Sequence, residues 1–147
     1  MTVRPLRAHE LDDLLALYAH LHETDLPLPP RAQVEAVWTE AIGNPKCRYF
    51  GGFEMGRLVS SCNITLIPNL TRACRPYGVI ENVVTHADHR GRGWGRRLLQ
   101  EALAFAWARE AYKVMLLTGR KDDATLRFYE GCGFSRQGKT GFIARPA

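Results

Sequence analysis

Hydrophobic positions recur with two different periods along the chain, and the period distinguishes helices from strands. Apolar residues at spacings of three and four, such as Leu11, Leu14 and Tyr18, predict helices that bury one face. The helices predicted in this way cover residues 8–21, 31–42 and 93–110. Runs rich in strand-forming residues predict strands at 2–6, 47–55, 58–67, 77–85 and 112–118. We also expect a short helix from Asp122 or Asp123 to Glu130 and short strands at 134–137 and 141–145.

Breaks in the pattern predict how these elements connect. Three prolines exclude a helix from segment 22–30, so we expect a loop long enough to act as a lid. Glu54–Arg57 has the residues of a hairpin turn, and 68–76 is expected to be another loop. Two strands flank the 93–110 helix, which predicts a β-α-β unit with parallel strands. Side chains of the 77–85 strand should alternate between the sheet faces unless a bulge resets the alternation.

Composition narrows the class of protein. The chain has 147 residues, 46% of them hydrophobic and 24% charged, which is typical of one globular domain covering residues 1–147. The formal charge of +5 favours anionic ligands. None of the four cysteines forms a C-x-x-C pair and His20 and His22 share no helical face, so we expect no metal site. No leader or membrane-spanning run is evident, and the predicted location is the cytoplasm, without membrane attachment.

The most informative stretch is a glycine-rich turn between the 77–85 strand and the 93–110 helix. Glycine occupies every second position from Gly91 to Gly95, and four arginines flank the turn. The third glycine of a Rossmann fingerprint and the Gly-Lys-Ser/Thr of a Walker A loop are both absent. A strand, a glycine turn and a helix N-terminus together favour the binding of phosphate by backbone amides. We therefore predict that this turn binds a diphosphate, although solvated arginines on a plain turn remain the alternative.

A second motif, Phe128-Tyr-Glu-Gly-Cys-Gly-Phe134, follows the next predicted strand. With the Arg-x-x-Gly-x-Gly motif of Arg90–Gly95 and the Val-Val strand before it, the chain resembles the GNAT superfamily of acyl-CoA N-acyltransferases. The resemblance is strong over residues 77–137, and Glu81–Val84 is similar to glucosamine-phosphate N-acetyltransferases. It implies a mixed α/β fold with a mostly antiparallel central sheet, a parallel β-α-β unit at the cofactor site and helices on both faces. Asp122 and Thr125 depart from the Asn and Ala that the family often has.

The resemblance implies acetyl-CoA (coenzyme A) as the donor. Backbone amides from Arg92 to Arg97 would bind its diphosphate, and the edge of the strand at 83–85 would pair with the pantetheine arm. An amide of Val83 or Val84 could polarise the thioester carbonyl. The implied cofactor-binding residues are Val83, Val84, Thr85, Arg90, Gly91, Arg92, Gly93, Trp94, Gly95, Arg96, Arg97 and Phe128.

Two side chains are candidates for proton transfer. The acceptor amine must lose a proton before or during attack, and Glu81 is the carboxylate best placed by its strand position; a water relay is the alternative. In the family, a tyrosine protonates the departing thiolate, and the resemblance assigns that role to Tyr129. An ordinary charged sheet residue and a packed aromatic are the corresponding structural interpretations.

The acceptor side lacks a diagnostic motif. Candidate substrate-binding residues are Glu23, Asp25, Trp38, Arg72 and Arg75. Acidic residues suit a cationic amine, whereas the arginines suit a carboxylate or phosphate on the acceptor. The leading hypothesis is N-acetylation of a small amine such as an amino sugar, amino acid or polyamine. Acetylation of a protein or peptide is the second, and a non-catalytic CoA sensor or a nucleic-acid-binding module is the third. We expect no nucleic-acid partner, and the C-terminal strands and the 68–76 loop could support a homodimer.

Overall fold

The computed structural model describes residues 1–147, and its sheet has five strands in the order in which they occur along the chain. The strands are β1 (Thr2–Pro5), β2 (Cys47–Glu54), β3 (Arg57–Ile67), β4 (Tyr77–Thr85) and β5 (Val114–Met115). The helices are α1 (Leu11–Tyr18), α2 (Arg31–Gly43), α3 (Thr71–Cys74), α4 (Trp94–Trp107) and α5 (Asp123–Gly131). Neighbouring strands are antiparallel except β4 and β5, which are parallel. The predicted mixed, mostly antiparallel sheet with a β-α-β unit is confirmed.

The chain divides into two compact units. The first, Met1–Met115, holds all five strands and α1 to α4, and the second, Leu116–Ala147, holds α5. None of the helices is long and apolar enough to cross a membrane.

Alternation along β2 explains why helices pack on both faces of the sheet. Phe53 joins a buried cluster with Leu14 of α1 and Trp38 of α2. Phe50 lies three residues before Phe53 and so points to the opposite face of the sheet. Its ring packs edge to face on Phe105 of α4 at a centroid distance of 6.3 Å. Because successive strand side chains point to opposite faces, α4 covers one face and α1 with α2 covers the other.

A bulge interrupts the pairing of β3 with β4. Asn63 pairs with Glu81 and Ser61 pairs with Val84, so two residues of β4 stand opposite one residue of β3. Asn82 lies in the bulge with a φ of 53°. The bulge therefore resets the alternation of β4 side chains at this point.

Four predicted helices and strands differ in the structure. The helix predicted over 8–21 is a 3₁₀ turn at Ala8–Glu10 followed by α1, and β5 is only Val114–Met115 because β4 pairs with it only at Gly78 and Val79. The strands predicted at 134–137 and 141–145 do not form. Apart from the half-buried Phe134, those segments are exposed, so they have no buried face to stabilise a hairpin. The homodimer suggested from these strands therefore loses that part of its basis.

Candidate active site

The edge of β4 that faces β5 is open over most of its length. Parallel pairing joins Gly78 to Val114 and Val79 to Met115 and then stops, so Ile80–Thr85 has no strand partner on that side. An open edge carries backbone N–H and C=O groups at strand spacing. Such an edge can bind an extended ligand that has amide groups of its own.

Backbone alternation identifies which N–H groups face the open edge. The N–H of Gly78 donates to Lys113 beside β5 (2.9 Å), whereas the N–H of His86 donates to Val59 of β3 (2.8 Å). Successive N–H groups of a strand point to opposite edges. Counting back from His86, the N–H of Val84 faces β3, and the N–H of Val83 faces the open edge.

The turn after β4 needs glycine for its backbone conformation. Gly91 has a φ of 73° and Gly93 a φ of 84°, both in the left-handed region. A Cβ on either residue would meet no atom within 4 Å, so the requirement comes from the dihedral angle and not from lack of space. Gly93 is also the N-cap residue of α4.

The same turn carries backbone donors without acceptors. No carbonyl or side chain accepts from the N–H groups of Gly91, Gly93, Trp94 or Gly95, and the N–H of Arg97 donates to the carbonyl of Gly93 (3.2 Å). The positive end of the helix dipole lies at the same place. These unpartnered donors and the helix N-terminus fit a diphosphate.

Trp94 fixes the start of α4 against the sheet. Its side chain is 1% exposed, and a Cβ on Gly52 of β2 would lie only 2.6 Å from its ring. Only glycine at position 52 therefore lets the ring approach this closely. Sequence reasoning missed Gly52, because its role depends on a contact between residues distant in the chain.

Arg90 braces the turn through protein contacts. Its Nε donates to the carbonyl of Thr85 (3.2 Å) and its Nη2 to the carbonyl of His20 (3.0 Å). The side chain therefore connects the end of β4 to the segment after α1.

Glu54 of β2 neutralises part of the positive charge beside the turn. Its Oε2 lies 2.9 Å from Nε2 of His89 and 3.6 Å from Nη1 of Arg92. Arg97 donates instead to the carbonyl of Met1 (3.4 Å). The side chains of His89, Arg92 and Arg97 therefore each have a partner within the protein.

A row of histidines leads into the glycine turn. His86 lies 4.0 Å from His20 and 5.3 Å from His89, centroid to centroid. Burial lowers the pKa of His86, and the neighbouring His20 lowers it further. No group of three His, Cys, Asp or Glu side chains is arranged to hold a metal ion. Sequence spacing could not reveal this row, because His20 comes from a distant segment.

Glu81 lies on β4 just before the bulge. Its side chain is exposed and takes part in no salt bridge, and its cross-strand neighbour is Asn63. The carboxylate is therefore accessible, two residues before Val83.

Phe128 and Tyr129 belong to the second unit. Their rings meet at a centroid distance of 5.1 Å, and the Tyr129 ring meets Phe134 at 6.3 Å. Asp122 caps α5 by accepting from the N–H (3.0 Å) and the hydroxyl (2.8 Å) of Thr125. These hydrogen bonds lower the pKa of Asp122. The departures noted at 122 and 125 thus form a helix cap.

The candidate acceptor residues are dispersed. Trp38 is buried and its indole donates to the carbonyl of Ala8 (2.8 Å), so packing explains its position. Glu23 and Asp25 lie in an exposed loop. Arg75 donates to the carbonyls of Glu110 (2.9 Å) and Ala111 (3.4 Å). A surface pocket between α2 and β2 contains none of the predicted site residues.

Arg72 remains exposed, with its guanidinium 6.0 Å from the Tyr112 ring. It lies in the segment before β4, whereas the glycine turn follows β4. The structure therefore puts the two arginines near the start of β4 and the turn near its end.

The candidate site thus combines an open strand edge with a glycine turn that carries free backbone donors. The chain matches the Acetyltransferase (GNAT) family over residues 11–134. It therefore belongs to this family and is a GNAT-type acetyltransferase.

Individual relatives narrow the comparison. A glucosamine 6-phosphate N-acetyltransferase from Trypanosoma brucei brucei is 31% identical over 137 residues, which cover 91% of this chain and 88% of the relative. The N-alpha-acetyltransferase RimI from Mycobacterium tuberculosis is 30% identical over 138 residues, covering 94% and 80%. The solved structure of a putative acetyltransferase from Agrobacterium tumefaciens superposes with a TM-score of 0.91 at 42% identity, covering 99% and 100%.

Proposed function

We propose that this acetyltransferase moves an acetyl group from acetyl-CoA to the primary amine of a small molecule by direct attack in a ternary complex. The observation that carries the proposal is that the open edge of β4 is followed by a turn, Gly91–Gly95, with unpartnered backbone donors. The first suits a diphosphate and the second suits the amide groups of a pantetheine arm. The thioester supplies an activated acyl group.

The chain's own groups would divide the remaining work. The N–H of Val83, which faces the open edge, would donate to the thioester oxygen as negative charge develops there. Glu81, exposed two residues earlier, would accept a proton from the attacking amine, directly or through water. Tyr129 would give its phenolic proton to the departing CoA thiolate.

An amino sugar phosphate is the acceptor class that we propose to test first. The trypanosomal relative is a glucosamine 6-phosphate N-acetyltransferase of similar length, and Arg72 is an exposed cation on this chain. A guanidinium pairs well with phosphate. Glu23 and Asp25, exposed in the 22–30 loop, are the candidates for contact with the ammonium group.

Acetylation of a peptide N-terminus is the second candidate. Its support is the 30% identity to an N-alpha-acetyltransferase over most of the chain. Arg75 also already donates to two backbone carbonyls, so it is less available to bind the anionic group of a phosphorylated acceptor.

A thiol-release assay with acetyl-CoA tests the proposal and separates the candidates. The panel contains glucosamine 6-phosphate, glucosamine, a polyamine, free amino acids and short peptides with different N-terminal residues. We expect acetyl-dependent thiol release with an amine of the first four types, and with glucosamine 6-phosphate above glucosamine. Thiol release with peptides alone would contradict a small-molecule acceptor and support the peptide acceptor. Binding of CoA without thiol release in the presence of any amine would contradict both acceptor hypotheses.

A further inference from the structure

Asn82 is the one non-glycine residue within a strand that has a left-handed backbone conformation. Its φ is 53°, and the other non-glycine residues with positive φ are Met55, Arg72, Ala73, Cys74 and Glu110, all outside the strands. Asparagine tolerates this region better than most L residues, but still at a cost relative to extended backbone. A strained residue inside a central strand calls for an explanation.

The conformation of Asn82 decides which amide reaches the open edge. Before the bulge the N–H of an even-numbered residue, Gly78, points toward β5; after it, the even-numbered His86 points toward β3. The bulge reverses the alternation between these two points. Without it, the N–H of Val83 would point toward β3, and the open-edge donor would move by one residue, about 3.3 Å along the strand.

The side chain of Asn82 is tied to the interior face of the sheet. Its Nδ2 donates to Oδ1 of Asn63 at 3.2 Å, and Asn63 is only 8% exposed. Asn63 lies on β3 at the point where the register between β3 and β4 shifts. The bond therefore joins the two strands beside the irregularity.

Tyr18 of α1 lies beside this pair. Burial raises the pKa of its hydroxyl, and the side chain of Asn82 opposes that rise. The Asn82–Asn63 hydrogen bond joins β4 to β3. A hydrogen bond to a buried side chain limits the arrangements open to its partner.

We infer that Asn82 is a positioning residue for acetyl transfer: its side-chain amide, held by Asn63, keeps the bulge that turns the N–H of Val83 to the open edge. The inference rests on the proposed function, because it gives Val83 the role of donor to the thioester oxygen. Asn82 touches no reacting atom in this account. It acts through the backbone of its neighbour.

Asn82→Gly is the sharpest test, because glycine adopts a left-handed φ freely while the amide side chain is removed. Backbone strain is then excluded as the cause of any defect. Met55→Gly is the matched control, since Met55 has a φ of 49° in an exposed hairpin turn. Steady-state kinetics with acetyl-CoA and the best amine of the panel, and thermal melting, are measured for both.

We expect Asn82→Gly to lower kcat roughly ten- to a hundredfold, because a misplaced donor stabilises the transition state poorly. The KM for acetyl-CoA should change less than about threefold, since the glycine turn is intact. Met55→Gly should keep wild-type kcat.

The outcomes separate this inference from the proposed function. An inactive wild type would contradict the proposed function itself. An active wild type with unchanged kcat in Asn82→Gly would overturn the positioning role alone. So would a loss of activity in Asn82→Gly that disappears when the assay is cooled well below its melting transition, because that pattern reports unfolding.

Discussion

Two turns flank β4, and both enter the left-handed region of backbone conformation. After the strand, Gly91 and Gly93 adopt it. Before the strand, α3 adopts it with ordinary L residues, namely Arg72, Ala73 and Cys74 at φ values of 55°, 58° and 59°. Glycine has no Cβ to clash, whereas each L residue costs about 1–2 kcal/mol in this conformation.

The turn before β4 is held together by side chains. Nδ2 of Asn69 donates to the carbonyls of Thr71 (2.8 Å) and Arg75 (3.2 Å), and Arg75 bonds the chain after α4. The turn after β4 has the opposite character, because several of its amides have no acceptor in the chain. In the turn before β4 side chains bond backbone carbonyls, whereas the turn after β4 presents free backbone donors; the substitutions below test whether donor binding depends on those backbone groups and the chemistry on side chains.

Among the side-chain substitutions, Tyr129→Phe should cause the largest loss of activity. Loss of the phenolic proton should lower kcat roughly a hundredfold, because the thiolate would leave without a general acid. The KM for acetyl-CoA should remain nearly unchanged, since no backbone donor is touched. Tyr112→Phe, at a half-buried tyrosine packed on Tyr77, is the control. Full activity of Tyr129→Phe would remove Tyr129 from the mechanism.

Glu81→Gln tests the base and has a distinctive pH dependence. At neutral pH an alkylamine with a pKa near ~10.4 is mostly protonated, so loss of the base should lower kcat/KM about a hundredfold. The deficit should shrink as the pH rises toward the pKa of the amine, because the free base then forms without help. A deficit that stays constant with pH would contradict general-base catalysis by Glu81. Activity like that of the wild type at neutral pH would favour the water relay.

Gly93→Ala tests whether donor binding depends on backbone. Gly56→Ala is a close control, because Gly56 has a φ of 78° in the hairpin turn and, like Gly93, open space around its Cβ position. Both changes should lower the free energy of unfolding by about 1–2 kcal/mol. Only Gly93→Ala should raise the KM for acetyl-CoA, by about tenfold or 1.4 kcal/mol, because only its amides face the predicted diphosphate. An equal KM change in both would contradict the backbone assignment.

The glycine turn was predictable because its requirements are local. A β-branched strand, glycines at fixed spacing and an amphipathic helix follow one another within 77–110, and each leaves a compositional trace. The main strands and the hairpin at Glu54–Arg57 were predictable from the same kind of pattern, and the mostly antiparallel sheet from the family resemblance.

The rest depended on contacts that sequence does not encode by residue type. The left-handed Arg72–Cys74 turn carries no glycine or Asx signal at the strained positions. Gly52 matters only because Trp94 packs on it, and Arg75 is committed to carbonyls more than thirty residues away. β5 has an apolar run long enough for a full strand, yet it pairs with β4 only at Gly78 and Val79 and leaves the rest of that edge of β4 open. Local propensity predicts such elements, and tertiary pairing sets their length.

Arg72→Ala gives the smallest expected effect and tests the acceptor side most directly. Arg72 is exposed with only a distant ring contact, so its loss should leave stability unchanged and raise the KM for an anionic acceptor about three- to tenfold. Arg75→Ala should also lower the free energy of unfolding by about 1 kcal/mol, because it leaves two carbonyls without their donor. With both arginines replaced, the KM for the acceptor should rise more than the KM for acetyl-CoA. Equal rises would mean that this turn serves the fold and that the anionic group of the acceptor is bound elsewhere.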